Sequence, residues 1–547
     1  MARSLSERLR SRLDLSTAVV VASVAAFVVV AGLHIRLPGL YYDEVFQETT
    51  ALAFVKGGLA SQPAIVPGSE VSVLGHPLPV MANSYIGAVK TIAFSPVAAA
   101  FGISPASVRF FTIAIAALAL LAYARFLRIL FPEGAVAVLA TALLASDPSY
   151  VFFSRVDFGP SVFMFLLKGI ALWQLALWWR TGRLRPFVIG SFALGLGVYD
   201  KVNFLWIVAA IPLAALCVRP REVRARVNRR LWAIGGGSFL LGCLPLVAYN
   251  LAWPPRTLDP VLHGSLHIAG GNQAGGPLTQ LHERFQQLAD LLDGKTIVSL
   301  LGDLGGPPPV LPSLCALAAA AIVVASLDRR ARPRLVAERF VVFAGLLVLL
   351  ASALTPGGSY AHHVLLTYPF PHVALAAAAV AAYRLVRGRA AALAVGSVAS
   401  AAIVTAVAVG VITDMKLLSR LSATGGSGNF SDAIYGLEDY LTKDESRPFV
   451  AVDWGIYQNL VALSQGRLRG HERWLELSQQ ANPRERYAAD LTSPTTAYLL
   501  HTPGWTNFPR ARREFFAIVR TSGRHARLVR VISSRQGRAV FEVYRVS

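Results

Sequence analysis

Long apolar blocks are the feature of this sequence that most restricts its fold. Several of them reach the roughly 18–20 residues that a helix needs to cross about 30 Å of hydrocarbon. Only 15% of the residues are charged, whereas a soluble domain carries about 25%. We therefore predict a polytopic α-helical membrane protein. Its predicted spans are 17–35, 107–130, 134–151, 159–179, 185–199, 201–217, 231–252, 308–327, 338–354, 362–384 and 389–412.

Basic residues alternate with these spans and predict the orientation. The net charge is +21, and most of the excess lies in a few short segments. Because short cytoplasmic loops accumulate Lys and Arg, these segments are assigned to the inner side and the C-terminus to the outside. The net positive charge is therefore explained by the cytoplasmic loops, and nucleic acid is not predicted as a partner. The basic segments are the N-terminus, 125–128, 180–185, 219–230, 329–339 and 384–389.

The apolar segment 79–101 is predicted not to cross the membrane. Polar residues and a proline interrupt it, and a crossing here would place the basic loop at 125–128 outside. We expect juxtamembrane helices on the outer face instead. The result is about eleven spans, N-terminus inside, in a bacterial-type plasma membrane; twelve spans are the alternative.

The composition changes after residue 415. The stretch Gly425-Gly426-Ser427-Gly428 predicts a flexible linker. Beyond it, strands are predicted at 448–454, 496–502, 526–534 and 538–546, and helices at 456–465 and 510–519. The chain thus divides into a transmembrane domain, 1–414, with outer loops at 36–106 and 253–307, and a small extracytoplasmic α/β domain, 415–547. No Gly-rich phosphate loop opens a helix in the second domain, so nucleotide binding is not supported.

Charged and aromatic residues gather on the predicted outer face. Acids close to hydrocarbon are costly and tend to be functional. Each cluster also has a purely structural interpretation: Asp43 and Glu44 fit a helix start, and Lys201 fits a side chain that reaches to the interface. Because all four clusters lie on the same predicted side, we expect them to line one common cavity. The clusters are 37–48, 146–160, 199–203 and 360–371.

These clusters resemble the motifs of a known family. Tyr42-Asp43-Glu44-Val45-Phe46 resembles the Asp-Glu motif in the first outer loop of protein O-mannosyltransferases and bacterial aminoarabinose transferases, which are GT-C glycosyltransferases that use lipid-linked sugars. The segment 75–79 is similar to the His-Pro-Pro-Leu element of that loop, with Leu78 in place of the second proline. The resemblance covers residues 17 to about 412. Its later parts are 107–111, 154–157, 195–201 and 363–369, and Gly159-Pro160 departs from the pattern.

The resemblance implies an inverting glycosyltransferase that moves a hexosyl or pentosyl group from a polyprenyl-phosphate donor to a hydroxyl of a protein, lipid or cell-envelope glycan. Such a donor leaves as a stable phosphate, so a base for the acceptor proton and cations for the phosphate suffice. The resemblance implies Asp43 as the base and Glu44 as the residue that orients the loop through Arg109. The residues implied in binding the donor phosphate or substrate are Arg109, Arg155, Asp157, Lys201, His363, Tyr368 and His76.

No cofactor is predicted, and two other functions compete with transfer. His263 and His267 have a spacing seen in zinc sites but lack a clear third ligand, so a divalent metal is the less favoured alternative. A multi-pass transporter commonly shows duplicated halves or interrupted helices, which we do not detect. A non-catalytic membrane scaffold would leave the Asp43-Glu44 motif unexplained.

Overall fold

The computed structural model describes residues 2–61, 69–252, 257, 276–301, 308–355, 360–386, 388–480 and 483–547, with backbone alone for 2–14 and 485. Helices dominate it. The helices up to residue 252 are α1 (Ala2–Gly32), α2 (Tyr42–Lys56), α3 (Val89–Phe101), α4 (Pro105–Leu130), α5 (Ala135–Ala145), α6 (Pro148–Arg155), α7 (Ser161–Thr181), α8 (Leu184–Asp200), α9 (Leu205–Val218), α10 (Pro220–Arg226), α11 (Arg229–Gly242) and α12 (Leu244–Ala252).

The helices between residues 277 and 424 are α13 (Pro277–Leu292), α14 (Lys295–Leu301), α15 (Val310–Ala325), α16 (Val336–Ala353), α17 (Ala361–Val364), α18 (Phe370–Leu385) and α19 (Arg389–Thr424). Short 3-10 turns occur at Val202–Phe204, Arg332–Arg334, Leu365–Thr367, Gly428–Phe430 and Thr442–Asp444. His263 and His267 of the sequence analysis lie outside the described residues, as does most of loop 253–307.

The helices agree with the prediction of a multi-pass membrane protein. Six of the described helical segments are long and apolar enough to cross a membrane, and three bent pairs (α5 with α6, α9 with α10, α11 with α12) raise the number to nine. Two other predicted spans coincide with α8 and α15, which are 17 and 16 residues long. The predicted number of eleven therefore depends on these two short helices and stays a prediction.

Small residues let neighbouring helices approach closely, as expected inside a membrane. A Cβ atom on Gly195 of α8 would lie 2.0 Å from the Phe239 carbonyl oxygen of α11, and one on Gly242 would lie 2.4 Å from the Phe192 carbonyl oxygen. Side chains larger than hydrogen at these positions would push α8 and α11 apart. The end of α8, which carries Asp200 and Lys201, is therefore held by a tight helix pair.

The first outer loop contains less helix than expected. Two antiparallel hairpins occupy part of it: β1 (Glu70–Val73) with β2 (His76–Pro79), and β3 (Met81–Asn83) with β4 (Ile86–Gly87). Only α3 is helical within 79–101. The prediction of juxtamembrane helices across that whole segment is wrong for its first part, because short paired strands satisfy the backbone there.

The C-terminal α/β domain, residues 415–547, is called the outer domain after its predicted side of the membrane. Its connection to the membrane domain is ordered and compact. Helix α19 has 36 residues, about 54 Å at 1.5 Å per residue, and it runs through the predicted boundary at 414/415. Gly425 ends it with φ 76°, and Gly426 is so close to the Phe430 carbonyl oxygen that a Cβ atom would lie 2.1 Å away. The predicted flexible linker is thus a buried turn, whose close backbone contacts require glycine.

The outer domain is a layered α/β unit, in line with the predicted class. Its sheet has the strand order β6-β5-β7-β9-β8, in which β5, β6 and β7 are parallel and β9 runs antiparallel to β7 and β8. The strands are β5 (Phe449–Ala451), β6 (Gly470–Glu472), β7 (Ala497–His501), β8 (Ala526–Ser533) and β9 (Ala539–Val546), and the helices are α20 (Ala433–Leu441), α21 (Tyr457–Leu463), α22 (Trp474–Gln479), α23 (Pro483–Leu491) and α24 (Pro509–Thr521). Separate apolar cores cover the two faces of the sheet.

Candidate active site

The Asp-Glu pair stands at the first turn of α2. The preceding residue, Tyr41, is extended, and its backbone N–H donates to Glu44 Oε2 at 3.1 Å. Carboxylates are favoured here because the helix N-terminus carries partial positive charge. The helix-start interpretation thus holds for Glu44, which is fully buried, whereas Asp43 is half-buried.

Arg109 holds the loop that leads into α2. Its Nε donates to Glu44 Oε1 at 2.7 Å and one Nη to Glu44 Oε2 at 3.0 Å. The remaining hydrogen bonds go to the carbonyl oxygens of Ile35, Pro38 and Gly39 at 2.8, 2.9 and 3.3 Å. All five N–H groups of the guanidinium are thereby used. The expected link between Glu44 and Arg109 is present, but Arg109 has no N–H group left to bind a phosphate.

Arg155 performs the same task one turn earlier. Its terminal nitrogens donate to the carbonyl oxygen of Ala31 in the last turn of α1 and to those of Leu33, His34 and Leu37 in the segment that follows. The Ala31 carbonyl needs such a partner because a helix end leaves its last acceptors unpaired. The geometry assigns Arg155 to the support of the loop, in place of the predicted contact with donor phosphate.

Lys90 and Glu48 belong to the site but were not singled out from the sequence. The Lys90 ammonium lies 2.8 Å from Glu48 Oε1 and 3.1 Å from Asp157 Oδ2, and all three side chains are fully buried. It also donates to the Glu44 carbonyl oxygen at 3.4 Å, while Asp157 Oδ1 accepts from the Val162 N–H at 3.3 Å. Asp157 therefore fixes Lys90 beside α2, and its predicted contact with a sugar competes with that ion pair.

Asp43 has a different environment from its neighbour. Burial raises the pKa of its carboxyl to about 6, although the Lys201 ammonium and the Tyr41 hydroxyl act in the opposite direction. The Tyr41 ring stacks on Phe158 at 4.6 Å and on Phe430 at 4.3 Å. Asp43 is thus a partly accessible carboxylate inside an aromatic wall, with a pKa near neutrality, as a general base requires.

Lys201 faces this carboxylate from the membrane domain. It lies in the extended break after α8, where it pairs with Ile86 in an antiparallel bridge. Among the described residues no carboxylate comes within ion-pair distance of its ammonium, although the side chain is buried. Burial lowers the pKa of Lys201 to about 8, against the attraction of Asp43, Asp157 and Asp200. A buried cation with no direct partner is suited to bind an anion.

His363 lies in the same region as Lys201. Its ring centroid is 4.3 Å from that of His362. The His362 ring in turn contacts Phe158 at 5.5 Å and stacks with Tyr360 at 5.8 Å. The structure therefore brings the histidine pair to the aromatic wall around Asp43.

Two of the predicted residues lie elsewhere. The His76 Nδ1 bonds the Phe54 carbonyl oxygen at 2.6 Å, and Phe54 is about 16 Å along α2 from Asp43 at 1.5 Å per residue. Tyr368 is fully buried, and its hydroxyl donates to Asp147 Oδ2 at 3.2 Å, next to His372. Both contacts are internal, so neither residue is brought to Asp43.

The outer domain completes the site. The Tyr42 hydroxyl donates to Glu472 Oε1 at 2.7 Å, and Trp454 packs against the Tyr42 ring at 5.1 Å. Along α2, Thr49 donates to Gln458 Oε1 at 2.7 Å. Tyr42 and Glu472 are 430 positions apart, and no local pattern of the sequence marks such a pair.

Metal ligands do not converge in the parts of the chain that the structure describes. No group of three or more His, Cys, Asp or Glu side chains there has an arrangement that could hold a metal ion.

Comparison with known proteins agrees with this architecture. The family model of dolichyl-phosphate-mannose-protein mannosyltransferases matches residues 93–253, from α3 to the end of α12. The structure of ArnT from Cupriavidus metallidurans bound to undecaprenyl phosphate matches with a TM-score of 0.57 and 11% identity, over 97% of this chain and 98% of that one. This chain shares the fold of that ArnT structure.

A second GT-C-type structure is similar to a smaller extent. It is the arabinofuranosyltransferase AftD from mycobacteria, with a TM-score of 0.43 and 11% identity over 96% of this chain and 40% of that one. No curated protein sequence matches the chain. The match to ArnT confirms the fold that the family resemblance implied.

Proposed function

We propose that this protein transfers a sugar from a polyprenyl-phosphate-linked donor to an acceptor hydroxyl at the outer face of the membrane. One observation carries the proposal: a half-buried carboxylate with a pKa near 6, Asp43, faces the buried ammonium of Lys201, which has no ion-pair partner among the described residues. The match to the mannosyltransferase family model and the fold shared with ArnT, which was solved with undecaprenyl phosphate, support it.

In the proposed reaction Asp43 acts as the general base. It accepts the proton of the acceptor hydroxyl while that oxygen forms a bond to the anomeric carbon. The bond between this carbon and the phosphate oxygen breaks, and its electron pair leaves with the polyprenyl phosphate. Attack opposite to the leaving group inverts the anomeric centre. No covalent sugar intermediate is needed, and Asp43 afterwards loses its proton to solvent.

Lys201 stabilises the departing phosphate in this proposal, and His363 is the nearby second donor. Charge stabilisation in a site shielded from water contributes several kcal/mol, on the order of 3 for one donor. Lys90 cannot serve in this way because Glu48, Asp157 and a carbonyl already engage its ammonium. Its role is to hold the first two turns of α2, and so to position Asp43. Neither a cofactor nor a metal takes part in the proposed step.

The proposed location is a bacterial-type plasma membrane with Asp43 and the outer domain on the same, outer side. A protein, lipid or cell-envelope glycan supplies the acceptor hydroxyl. Three helix pairs are bent at short breaks, so the expectation of uninterrupted helices is wrong and does not argue against a transporter. A transporter is less favoured because the ionisable groups around Asp43 lie at the ends of helices, whereas transporter sites lie near the midplane.

The decisive experiment uses purified full-length protein in lipid nanodiscs. Polyprenyl-phosphate-linked sugars are supplied as a panel, and released or transferred sugar is measured by mass spectrometry. We expect turnover with at least one donor, and a loss of at least about 100-fold for Asp43→Asn, since a positioned base contributes about 10²–10⁴-fold. The exposed Asp439→Asn is the matched control and should keep wild-type rates. Near-normal transfer by Asp43→Asn would refute the assignment of the base.

A further inference from the structure

The outer domain presents the carboxyl ends of its parallel strands to α2. Strands β5, β6 and β7 are parallel, so their carboxyl ends lie on the same side of the sheet. Ligand sites of α/β sheets form at such carboxyl ends. Glu472 ends β6, Trp454 follows β5, and His501 ends β7. These strand ends carry the residues that meet Tyr41 and Tyr42 at the start of α2.

Two of these residues combine an aromatic face with a carboxylate. Trp454 is half-buried and lies 5.6 Å from Tyr41 and 5.1 Å from Tyr42 between ring centroids. Its indole N–H has no hydrogen-bond partner among the described residues. Glu472 is also half-buried and uses Oε1 to accept from Tyr42. Burial raises the pKa of Glu472 to about 7.

The geometry of displacement requires an acceptor site on this side. The cation that would hold the leaving phosphate, Lys201, belongs to the membrane domain, whereas Trp454 and Glu472 belong to the outer domain. Asp43 lies at the boundary between the two. Because the incoming hydroxyl must approach opposite to the phosphate, we expect the acceptor to contact the outer domain.

We propose that Trp454 and Glu472 form the acceptor subsite and that the acceptor is a saccharide; this inference rests on the proposed function. An indole face packs against the C–H face of a sugar ring, and a carboxylate accepts hydrogen bonds from ring hydroxyls. The acceptor sugar would lie on Trp454, with one hydroxyl toward Glu472 and its nucleophilic hydroxyl toward Asp43.

A peptide acceptor is less well supported by the sheet. An extended peptide is usually bound by adding a strand to a free edge. The β6 edge near the site is met by Ser61, whose hydroxyl accepts from the Gly470 N–H at 2.7 Å. The other edge strand, β8, lies four strands away from β6. Ser61 thus already occupies the Gly470 N–H, one of the backbone groups that an added strand would need at this edge.

Saturation-transfer NMR on the full-length protein in nanodiscs tests the subsite without turnover. The probes are methyl glycosides of mannose, glucose, galactose and arabinose, together with a serine-containing hexapeptide. We expect signals from at least one glycoside, reduced about tenfold in Trp454→Ala and severalfold in Glu472→Gln. Trp454→Phe, which keeps an aromatic ring against Tyr42, should restore most of the signal. Trp232→Ala, a substitution at a 72% exposed tryptophan in α11, is the matched control.

Kinetics then separate the subsite from a structural effect. If a donor is turned over, the acceptor KM should rise about tenfold in Trp454→Ala while the donor KM changes less than twofold. Equal increases of both constants, glycoside signals that persist in both variants, or Trp454-dependent signals from the peptide alone would overturn the inference. Binding of undecaprenyl phosphate, measured separately by thermal shift, tests the proposed function; if it fails while the Trp454-dependent glycoside signals remain, the subsite stands and the donor assignment falls.

Discussion

At the residue scale, neighbouring groups of the same type have different roles because their surroundings differ. Glu44 is neutralised by Arg109, whereas Asp43 has a pKa near 6. Lys90 is held by two carboxylates, whereas Lys201 has no ion pair within the described part of the chain. Opposed environments of this kind commonly separate the acid, base and binding roles in an active site. Asp43 and Lys201 are accordingly the groups whose protonation should govern activity.

The pH dependence of transfer follows from these two groups. Asp43 acts as a base only when ionised, so kcat/KM should rise with pH through about 6. Lys201 holds phosphate only when protonated, so kcat/KM should fall above about 8. We expect a bell-shaped profile of kcat/KM, which reports the free enzyme.

Lys201→Arg tests the descending limb of that profile. Arginine stays protonated throughout this range, so the fall above pH 8 should disappear even if the maximum rate is lower. Lys56→Arg, at an exposed position on α2, should leave the profile unaltered. A profile that is flat between pH 5 and 9, or a descending limb unchanged in Lys201→Arg, would contradict these assignments.

At the element scale, the segment before α2 is held from two sides. Arg109 and Arg155 bind its carbonyl groups from the membrane domain. From the outer domain, the Phe430 carbonyl oxygen accepts from the Gly39 N–H at 2.8 Å, and Asn459 donates to the Leu40 carbonyl oxygen at 2.9 Å. The position of Asp43 therefore depends on both domains at once.

Gly39→Ala tests this dependence. A Cβ atom at Gly39 would lie 2.1 Å from the Ser431 carbonyl oxygen, so the outer domain must shift away from the loop. Overpacking of this kind costs about 1–3 kcal/mol, and we expect a lower apparent Tm together with a loss of transfer of about tenfold or more. Gly237→Ala, where a Cβ atom meets nothing within 4 Å, is the matched control. Wild-type activity and Tm in Gly39→Ala would show that the two domains are not coupled here.

At the scale of the whole molecule, the two domains both contribute residues to the candidate site around Asp43. Helix α19 continues from the membrane part to Gly425, and the outer domain returns to the first outer loop through Tyr42, Thr49 and Leu40. The orientation of the C-terminus and the side on which Asp43 works are therefore a single question. One measurement of topology decides both.

Reporter fusions give that measurement. Because the basic segments are predicted to lie inside, alkaline phosphatase fused to the C-terminus should be active, and the same reporter fused after Arg128 should be inactive. A fluorescent reporter that matures only in the cytoplasm should show the opposite pattern at the two sites. A cytoplasmic C-terminus would overturn the orientation and, with it, the outer-face location of transfer.

The sequence was sufficient for the features that depend on local chemistry. In a membrane every backbone polar group must be satisfied within its own helix, so long apolar blocks alone predicted the helical class. Strand-like patterns likewise predicted β5, β7, β8 and β9 of the outer domain. The short strand β6 and the hairpins of the first outer loop were missed, because three or four residues carry too little periodicity.

What each site residue contacts was decided only by the tertiary structure. The motifs that indicated Arg109 and Arg155 could not distinguish a phosphate ligand from a side chain that binds backbone carbonyls. Lys90 was not singled out because it lies within an apolar segment, and Glu472 lies 430 positions from its partner Tyr42. The physical reason is range: helix formation in lipid is determined by neighbours along the chain, whereas ion pairs, burial and pKa depend on groups that folding brings together from distant segments.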